Sequence, residues 1–292
     1  MASGSVHQRT AGSQVNERSR AVIELKQVSK QYQVKDKRGN KRTVDAVKPL
    51  SLSLDHQTSY ALVGESGSGK STLARLMLGI ERPTNGEVCL EGNNIAMLRP
   101  GEFRMKRADL QMVLQNAQSS LDPRLPVFDS IAEPIRCLKK MDKQSERQKI
   151  LELADKVCLT VDQLNRLPHE LSGGQLKRVC IARAMSVSPK FIVFDESVSG
   201  LDVTVRKQIL DLILQLKNDG IGAFLFITHD IDVAIYMADH IIVMKDGSIV
   251  ERVEHAGSYD DFKHEYSRKM IESLPPKSPE YRNQQHRMAA TL

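Results

Sequence analysis

The sequence predicts an α/β fold with a largely parallel sheet, an antiparallel β region at the start of the chain and a helical insert. Short apolar runs typical of buried strands alternate with segments of helical periodicity in the second half of the chain. Between about residues 117 and 185 the apolar spacing is helical, and this predicts the insert. Buried strands separated by helices are typical of parallel sheets.

The first predicted elements are antiparallel strands. The segment "VIELKQVSKQYQV" alternates apolar and polar residues, "RGN" resembles a turn, and "LSLSL" alternates again. The strand "SYALV" at 59–63 comes next, followed by a glycine-rich loop and a helix. A turn at 83–87 and a short strand "VCL" follow, and "LQMVLQ" at 110–115 predicts another buried strand.

Three helices are predicted within the insert, at residues 127–139, 145–158 and 174–186. Strands then return as "FIVFD", "AFLFIT" and "HIIVM", with helical segments between them. Between the first two of these strands, one helical stripe of apolar residues is formed by Ile209, Leu212, Ile213 and Leu216.

Composition narrows the class of protein. The chain has 292 residues, 40% of them hydrophobic, and a formal net charge of +6. Its apolar runs are far shorter than the ~20 residues that cross a bilayer, and its polar start lacks a secretory signal, so a cytoplasmic protein is expected. Four cysteines without C-x-x-C spacing argue against a zinc or iron–sulfur site. With 4% aromatic residues and no basic–aromatic interleaving, nucleic-acid binding is not expected.

The glycine-rich loop "GESGSGKS" at 64–71 fits the phosphate-binding pattern G-x-x-x-x-G-K-[ST]. Its backbone N–H groups and the following helix N-terminus would wrap a phosphate chain, which side chains would block. Lys70 would reach the β- and γ-phosphates and Ser71 would hold Mg²⁺. The alternative is a flexible glycine turn. The residues predicted to bind nucleotide here are Gly64, Glu65, Ser66, Gly67, Ser68, Gly69, Lys70, Ser71 and Thr72.

A second motif, "FIVFDE", places two acids at the end of a hydrophobic strand. A phosphate-hydrolysing site needs an acid at the end of a strand neighbouring the loop strand, so Asp195 is predicted on the metal side. Glu196 would polarise the attacking water. The alternative is a strand that runs into an acidic turn.

A third motif, "LSGGQ", precedes the helical "LKRVCIARAM" and predicts a second anion-binding helix end. Because it lies far along the chain from the first loop, the simplest assembly has each copy complete the loop of a partner. The alternative is an ordinary helix N-cap. The residues predicted to bind nucleotide at this end are Ser172, Gly173, Gly174 and Gln175.

These three motifs, with "SGLD" and "ITHD", occur in an order that resembles the ATP-binding-cassette ATPases from about Val22 to Val250. The resemblance implies a RecA-like P-loop NTPase core, an antiparallel β subdomain and a helical subdomain, with ATP and Mg²⁺ as cofactors. It divides the chain into a disordered tail at 1–20, a cassette at 21–250 and a C-terminal extension at 251–292. Within the cassette, 21–116 and 188–250 form the core and 117–187 the helical subdomain.

The resemblance also implies roles for four further residues. Tyr32 would stack on adenine, although an ordinary strand tyrosine is the alternative. Gln115 would touch Mg²⁺ and the attacking water, giving a metal set with Ser71 and Asp195. Asp202 would act across the dimer interface, where a helix N-cap is the alternative, and His229 would sense the γ-phosphate.

More narrowly, "SSLDPRLPVFDSIAEPI" and "LSGGQLKRVCIARA" resemble the ATPase subunits of dipeptide, oligopeptide and nickel importers, and "STLARLMLGIERP" favours the nickel branch. "DES" and "SGLD" replace the commoner "DEP" and "SALD", but the acidic residues are kept. Some relatives carry a cysteine-rich cluster near the C-terminus, whereas no cysteine follows Cys180 here, so no metal cluster is expected in the tail.

This resemblance implies a peripheral protein on the cytoplasmic face of the inner membrane. Its partners would be two membrane-spanning permease subunits, a paralogous or identical ATPase subunit and an extracytoplasmic binding protein. The solute stays open among nickel, a metal chelate and short peptides. The alternatives are a soluble cassette ATPase that acts on nucleic acid or ribosomes, and a nucleotide-gated regulatory module without turnover.

Overall fold

A computed structural model of the chain describes residues 21–35 and 39–274. The tail expected at 1–20 and the last part of the predicted C-terminal extension, 275–292, lie outside the described residues.

The strands of this part of the chain form two sheets. Their bounds are β1 (Ala21–Lys35), β2 (Lys41–Asp55), β3 (Ser59–Val63), β4 (Asn85–Leu90), β5 (Asn93–Asn94), β6 (Leu110–Val113), β7 (Phe191–Asp195), β8 (Ala223–Thr228), β9 (His240–Lys245) and β10 (Ser248–Glu254). The smaller sheet has the order β2-β1-β4-β5 and is antiparallel throughout. The alternating patterns of the first region therefore predicted the correct type of sheet.

The larger sheet has the order β10-β9-β3-β8-β7-β6. The pairs from β9 to β6 are parallel and only β10 joins antiparallel to β9. This confirms the predicted α/β fold. One detail differs, because the strand with the acid pair was expected beside β3, whereas β8 lies between β3 and β7.

Helices connect the strands of the larger sheet. Their bounds are α1 (Lys70–Met77), α2 (Pro100–Lys106), α3 (Val127–Leu138), α4 (Lys143–Lys156), α5 (Val161–Leu164), α6 (Gly173–Met185), α7 (Val203–Asn218), α8 (Ile231–Met237) and α9 (Glu265–Glu272). Short 3₁₀ turns lie at 95–97, 118–120, 168–170 and 259–261. The three helices predicted in the insert correspond to α3, α4 and α6, with ends that differ by at most two residues.

The two faces of the larger sheet bury separate hydrophobic cores. Along β3, Ala61 and Val63 belong to the core shared with α3–α8, while Tyr60 and Leu62 belong to the core shared with α1 and the smaller sheet. This division follows from the alternation of side chains along a strand with both faces covered. The predicted apolar stripe of α7 is buried in the first core.

The chain continues beyond residue 250 as ordered structure. Strand β10 runs to Glu254, so the boundary expected after residue 250 falls inside a strand. Helix α9 follows, and Phe262 and Tyr266 join the core of the α3–α8 face. The part of the extension at 251–274 therefore packs on the cassette.

Each helix within residues 21–35 and 39–274 is too short or too polar to cross a bilayer. Of the four cysteines, Cys89 and Cys180 are buried, while Cys137 and Cys158 are exposed and unpaired by disulfides.

Candidate active site

The glycine-rich loop leaves the carboxyl end of β3 and enters α1. Within it the ammonium of Lys70 is buried and donates hydrogen bonds of 2.7 Å to the carbonyls of both Gly64 and Glu65. Burial lowers the pKa of Lys70, while the carboxylates of Glu196 and Asp195 act in the opposite direction. The positive charge at the centre of the loop thus lies within electrostatic range of both acids.

Two glycines allow this loop to pack closely on the rest of the chain. A Cβ at Gly69 would lie 2.2 Å from the carbonyl oxygen of Ala46, and one at Gly64 would lie 2.1 Å from that of Met244. Gly69 also has φ +101°, a conformation that glycine adopts readily. These positions require glycine for packing within one chain.

Asp195 ends β7 and faces the start of α1. Burial, followed by the nearby charge of Glu196, raises the pKa of its carboxyl, while the neighbouring hydroxyl of Ser71 acts in the opposite direction. A hydroxyl and a half-buried carboxylate are oxygen ligands of the kind that Mg²⁺ takes, usually with waters and substrate phosphates. No cluster of three His, Cys, Asp or Glu side chains suited to a metal occurs in the described ranges. The two oxygen donors of Ser71 and Asp195 fit Mg²⁺ that is bound together with a phosphate chain.

Glu196 lies between two other predicted residues. The amide of Gln115 donates a 2.9 Å hydrogen bond to Glu196 Oε2, and His229 Nδ1 lies 3.4 Å from Glu196 Oε1. Ser199, which the sequence did not single out, accepts a 3.3 Å hydrogen bond from Gln115 and donates one of 2.7 Å to the Glu196 carbonyl. The backbone of Glu196 has φ +42°, a conformation that residues other than glycine rarely adopt. Gln115, Glu196 and His229 thus form one polar group.

Gln115 lies two residues beyond the end of β6, although the sequence predicted it as the last residue of that strand. Its backbone is held by Lys177 of α6, whose buried ammonium donates to the carbonyls of Leu114 and Gln115. Burial lowers the pKa of Lys177. The Gln115 side chain is therefore carried on a segment anchored to α6.

Tyr32 lies on β1 beside the start of α1. Its hydroxyl donates to the carboxylate of Glu81 and also contacts Thr72, and the Lys30 ammonium lies 5.2 Å from its ring centroid. Glu81 also forms 3.5 Å ion pairs with Lys30 and Arg75. Sequence reasoning missed Glu81, because an isolated acid after a helix carries no motif.

The second predicted phosphate-binding end begins α6. Ser172 is the N-cap: its hydroxyl accepts a 3.3 Å hydrogen bond from the Gln175 N–H, and the Gln175 side chain accepts one of 2.9 Å from the Ser172 N–H. This is a capping box. One acceptor position of the Ser172 hydroxyl is thus used within α6.

The neighbours of this helix end differ from those of the glycine-rich loop. A Cβ at Gly174 would lie 2.6 Å from Val205, and one at Gly173 would come no closer than 3.9 Å to Leu201. Asp202, beside them, accepts a 3.0 Å hydrogen bond from the Val205 N–H and caps α7. Within one chain this end contacts the start of α7. Its pairing with a second copy stays a prediction.

An open groove lies next to the Gln115 segment, between β6, α3 and α6. It encloses about 610 Å³ and is lined by apolar and polar side chains that include Leu114, Glu133 and Arg183. The predicted roles of the individual site residues stay predictions.

A family profile described as "ABC transporter" matches residues 47–199. That range contains the glycine-rich loop, the start of α6 and the acid pair of β7.

Two relatives with names that bear on function are similar over most of this chain. The oligopeptide transport ATP-binding protein OppF of Lactococcus lactis subsp. lactis (strain IL1403) is 38% identical over 256 residues, which cover 87% of this chain and 80% of OppF. The glutathione import ATP-binding protein GsiA of Escherichia coli (strain K12) is 40% identical over 238 residues, which cover 82% of this chain and 38% of GsiA. This chain thus matches less than half of GsiA.

Solved structures give the same likeness in three dimensions. The ATP-binding cassette MJ0796, a dimer in a post-hydrolysis state bound to ADP and Pi, superposes with a TM-score of 0.70 at 28% identity, covering 81% of this chain and 100% of that one. CbiO1 of Clostridium perfringens, part of the ABC transporter complex cbiONQ, superposes with a TM-score of 0.72 at 22% identity, covering 88% and 96%. The second likeness bears on the fold alone.

Proposed function

Since this chain belongs to the ATP-binding-cassette (ABC) transporter family as an ATPase domain, we propose that it is the ATP-hydrolysing subunit of an importer for short peptides, nickel or a metal chelate. The observation that carries hydrolysis is the position of Glu196 between Gln115 and His229. A carboxylate held there can accept a proton from a water that attacks the γ-phosphoryl group.

The other residues of the site position and neutralise charge. The Lys70 ammonium, now on the carbonyls of its own loop, would turn toward the β- and γ-phosphates. The backbone N–H groups of 67–72 would bind phosphate oxygens, and Tyr32 would stack on the base. Gln115 and His229 orient Glu196 and the γ-phosphate. Catalysis would come mainly from positioning and preorganised electrostatics.

Ser71, Asp195 and Gln115 would hold Mg²⁺, which supplies neutralisation of the phosphate charge when it is bound. The nearness of Ser71 to Asp195 supports this proposal, because it brings a hydroxyl and a carboxylate to one place.

Two copies, or this chain and a paralogue, would enclose two nucleotides. The exposed Ser172 and Gly173, with Gly174 and Gln175 behind them, would contact the γ-phosphate bound by the partner. Asp202 lies beside that helix end and would contact the partner's glycine-rich loop. The dimeric state of the similar cassette MJ0796 supports this arrangement.

The groove beside Gln115 would receive the permease subunits, so that their movement is coupled to the γ-phosphate through Gln115. An extracytoplasmic binding protein would deliver the solute, and the chain would lie on the cytoplasmic face of the inner membrane. The names of OppF and GsiA favour import of a peptide-like solute and disfavour the soluble alternative that acts on nucleic acid or ribosomes.

The central test is Glu196→Gln, which keeps the side chain's size and removes its basicity. We expect ATP affinity to be retained, phosphate release to fall by about a hundredfold to ten-thousandfold, and a closed dimer to accumulate with ATP. Phosphate release and size-exclusion chromatography measure the two effects. Normal steady-state turnover by the variant would overturn the assignment of Glu196.

Identifying the transported solute requires the whole transport complex. Co-purified with its permeases and binding protein in proteoliposomes, the chain should show ATP turnover that is stimulated by the transported solute. Short peptides, Ni²⁺ and a nickel chelate are the probes. Stimulation by none of them would contradict the proposed solute class.

A further inference from the structure

Helix α9 belongs to the C-terminal extension, to which the proposed function gives no role. Its Tyr266 is only 8% exposed, and its hydroxyl accepts a 3.2 Å hydrogen bond from the backbone N–H of Glu65. Glu65 is the second residue of the glycine-rich loop. The C-terminal extension therefore reaches the nucleotide-binding loop directly.

The contacted peptide is one that Lys70 also uses. The Gly64–Glu65 peptide offers its carbonyl to the Lys70 ammonium and its N–H to Tyr266. If Lys70 turns to a phosphate, as the proposed function requires, that carbonyl loses its donor. The Tyr266 hydrogen bond does not depend on Lys70 and would still hold the peptide in place.

A second route joins the same elements. The Lys245 ammonium lies 4.8 Å from the Tyr266 ring centroid, and the turn after Lys245 donates a 3.0 Å hydrogen bond from the Gly247 N–H to the Ser68 carbonyl. Tyr266 and the β9–β10 turn thus both contact the backbone of the glycine-rich loop.

Helix α9 is itself held at a fixed place. Glu251 of β10 accepts hydrogen bonds from the backbone N–H groups of Lys263 and His264, at 2.5 and 2.9 Å, where α9 begins. Phe262 is fully buried beside them. Burial and the nearby charges of Glu65 and Asp246 raise the pKa of Tyr266, so its hydroxyl stays protonated at neutral pH.

We propose that α9 is a positioning element of the nucleotide-binding loop and that Tyr266 is the positioning residue through which it acts. The inference rests on the proposed function. The ordered loop would present its N–H groups to the phosphates with less loss of backbone freedom on binding.

The test is Tyr266→Phe, which keeps the ring and its contact with Lys245 and removes the hydroxyl. We expect both ATP and inorganic tripolyphosphate to bind about two- to tenfold more weakly, the range for the loss of one hydrogen bond. Isothermal titration calorimetry on the full chain measures both ligands. Equal weakening for the two ligands locates the effect at the phosphate end of the site.

Tyr259→Phe is the matched control, because Tyr259 lies on the same C-terminal segment and donates its hydroxyl to Asp232, at 2.6 Å. We expect it to leave both affinities unchanged, even where it lowers the melting temperature. If the two variants bound both ligands equally weakly, the effect of Tyr266 would be a general loss of stability in the C-terminal segment, and the proposal would be overturned. Unchanged binding by Tyr266→Phe would overturn it as well.

Two further variants separate the possible failures. Glu251→Ala removes the acceptor at the start of α9 without touching the loop, and we expect it to weaken the same two ligands. If Tyr266→Phe does not fold, unchanged binding by Glu251→Ala overturns the proposal. Lys70→Ala tests the proposed function: if it loses affinity while Tyr266→Phe does not, only this inference fails.

Discussion

The two helix ends predicted to bind phosphate are built in opposite ways. The start of α1 is enclosed by its own chain: Lys70 is buried, and Gly69 leaves no room for a Cβ beside Ala46. The start of α6 is exposed at Ser172 and Gly173, and its capping box satisfies the backbone N–H groups of Ser172 and Gln175 within the chain. The first end is enclosed by its own chain, whereas the second is exposed at its first two residues, although Gly174 behind them packs against Val205. An exposed helix end is what the proposed shared site needs in order to reach a nucleotide bound by a partner.

Removing the buried charge should have the largest effect. With Lys70→Ala, we expect ATP affinity to fall strongly and turnover to drop by at least about a hundredfold, since a preorganised charge on the phosphates is lost. Titration with a fluorescent ATP analogue and a phosphate-release assay measure this. Lys190→Ala, which removes a lysine paired with Glu91 away from the site, is the control and should change neither value. Unchanged binding by Lys70→Ala would contradict the phosphate role of the loop.

A glycine-to-alanine substitution should lower the free energy of unfolding more at the start of α1 than at the start of α6. Gly69→Ala introduces a clash and an unfavourable φ, and we expect it to lower the free energy of unfolding by roughly 2–4 kcal/mol. Gly173→Ala meets only Leu201 at 3.9 Å and should change it by less than about 0.5 kcal/mol. Urea unfolding of both variants measures the difference. Equal losses would show that the α6 end is as tightly enclosed as the loop.

Removing the hydroxyl of Ser172 should affect association more than binding. We expect Ser172→Ala to keep the ATP affinity of the single chain and to weaken ATP-driven dimerisation about tenfold, through loss of a hydrogen bond to a charged phosphate. Analytical ultracentrifugation in the Glu196→Gln background measures dimerisation. Thr160→Ala removes the same type of capping box from α5 and should leave dimerisation intact. Intact dimerisation of Ser172→Ala would contradict the shared site.

The smallest effect is expected at Asp202, where capping and the proposed interface role coincide. Asp202→Ala should lower the free energy of unfolding by about 1 kcal/mol, because α7 loses its N-cap. Asp202→Asn keeps a capping oxygen and should retain stability, yet reduce the ATPase rate of the dimer. Thermal unfolding and phosphate release together separate the roles. If Asp202→Asn kept the full ATPase rate, the proposed role of Asp202 at the dimer interface would be contradicted, and only its capping of α7 would remain.

Local patterns predicted the parts of the site that are contiguous in sequence. The strand, glycine loop and helix around Lys70 follow from one segment, and the acid pair follows from the apolar run before it. The predicted α/β fold is confirmed because its strands are short, apolar and separated by amphipathic helices. The placement of β8 between β3 and β7 was missed, since strand order depends on crossovers that no single segment specifies.

Contacts between distant segments could not be predicted in this way. Tyr266 meets Glu65 across 201 residues, and Glu81 meets Tyr32 across 49. Neither Tyr266 nor Glu81 lies in a motif, because the contacts of each depend on how distant segments pack in the fold. The packing of the C-terminal extension on the cassette was not predicted for the same reason, since Phe262 and Tyr266 are buried only against the folded core.

The buried ammonium of Lys177 links the segment that carries Gln115 to helix α6. Lys177 donates hydrogen bonds to the carbonyls of Leu114 and Gln115. If this segment moved without α6, the buried ammonium would lose both hydrogen bonds, which is costly for a desolvated charge. A displacement of the Gln115 segment would therefore also displace the start of α6, where Ser172 is the N-cap.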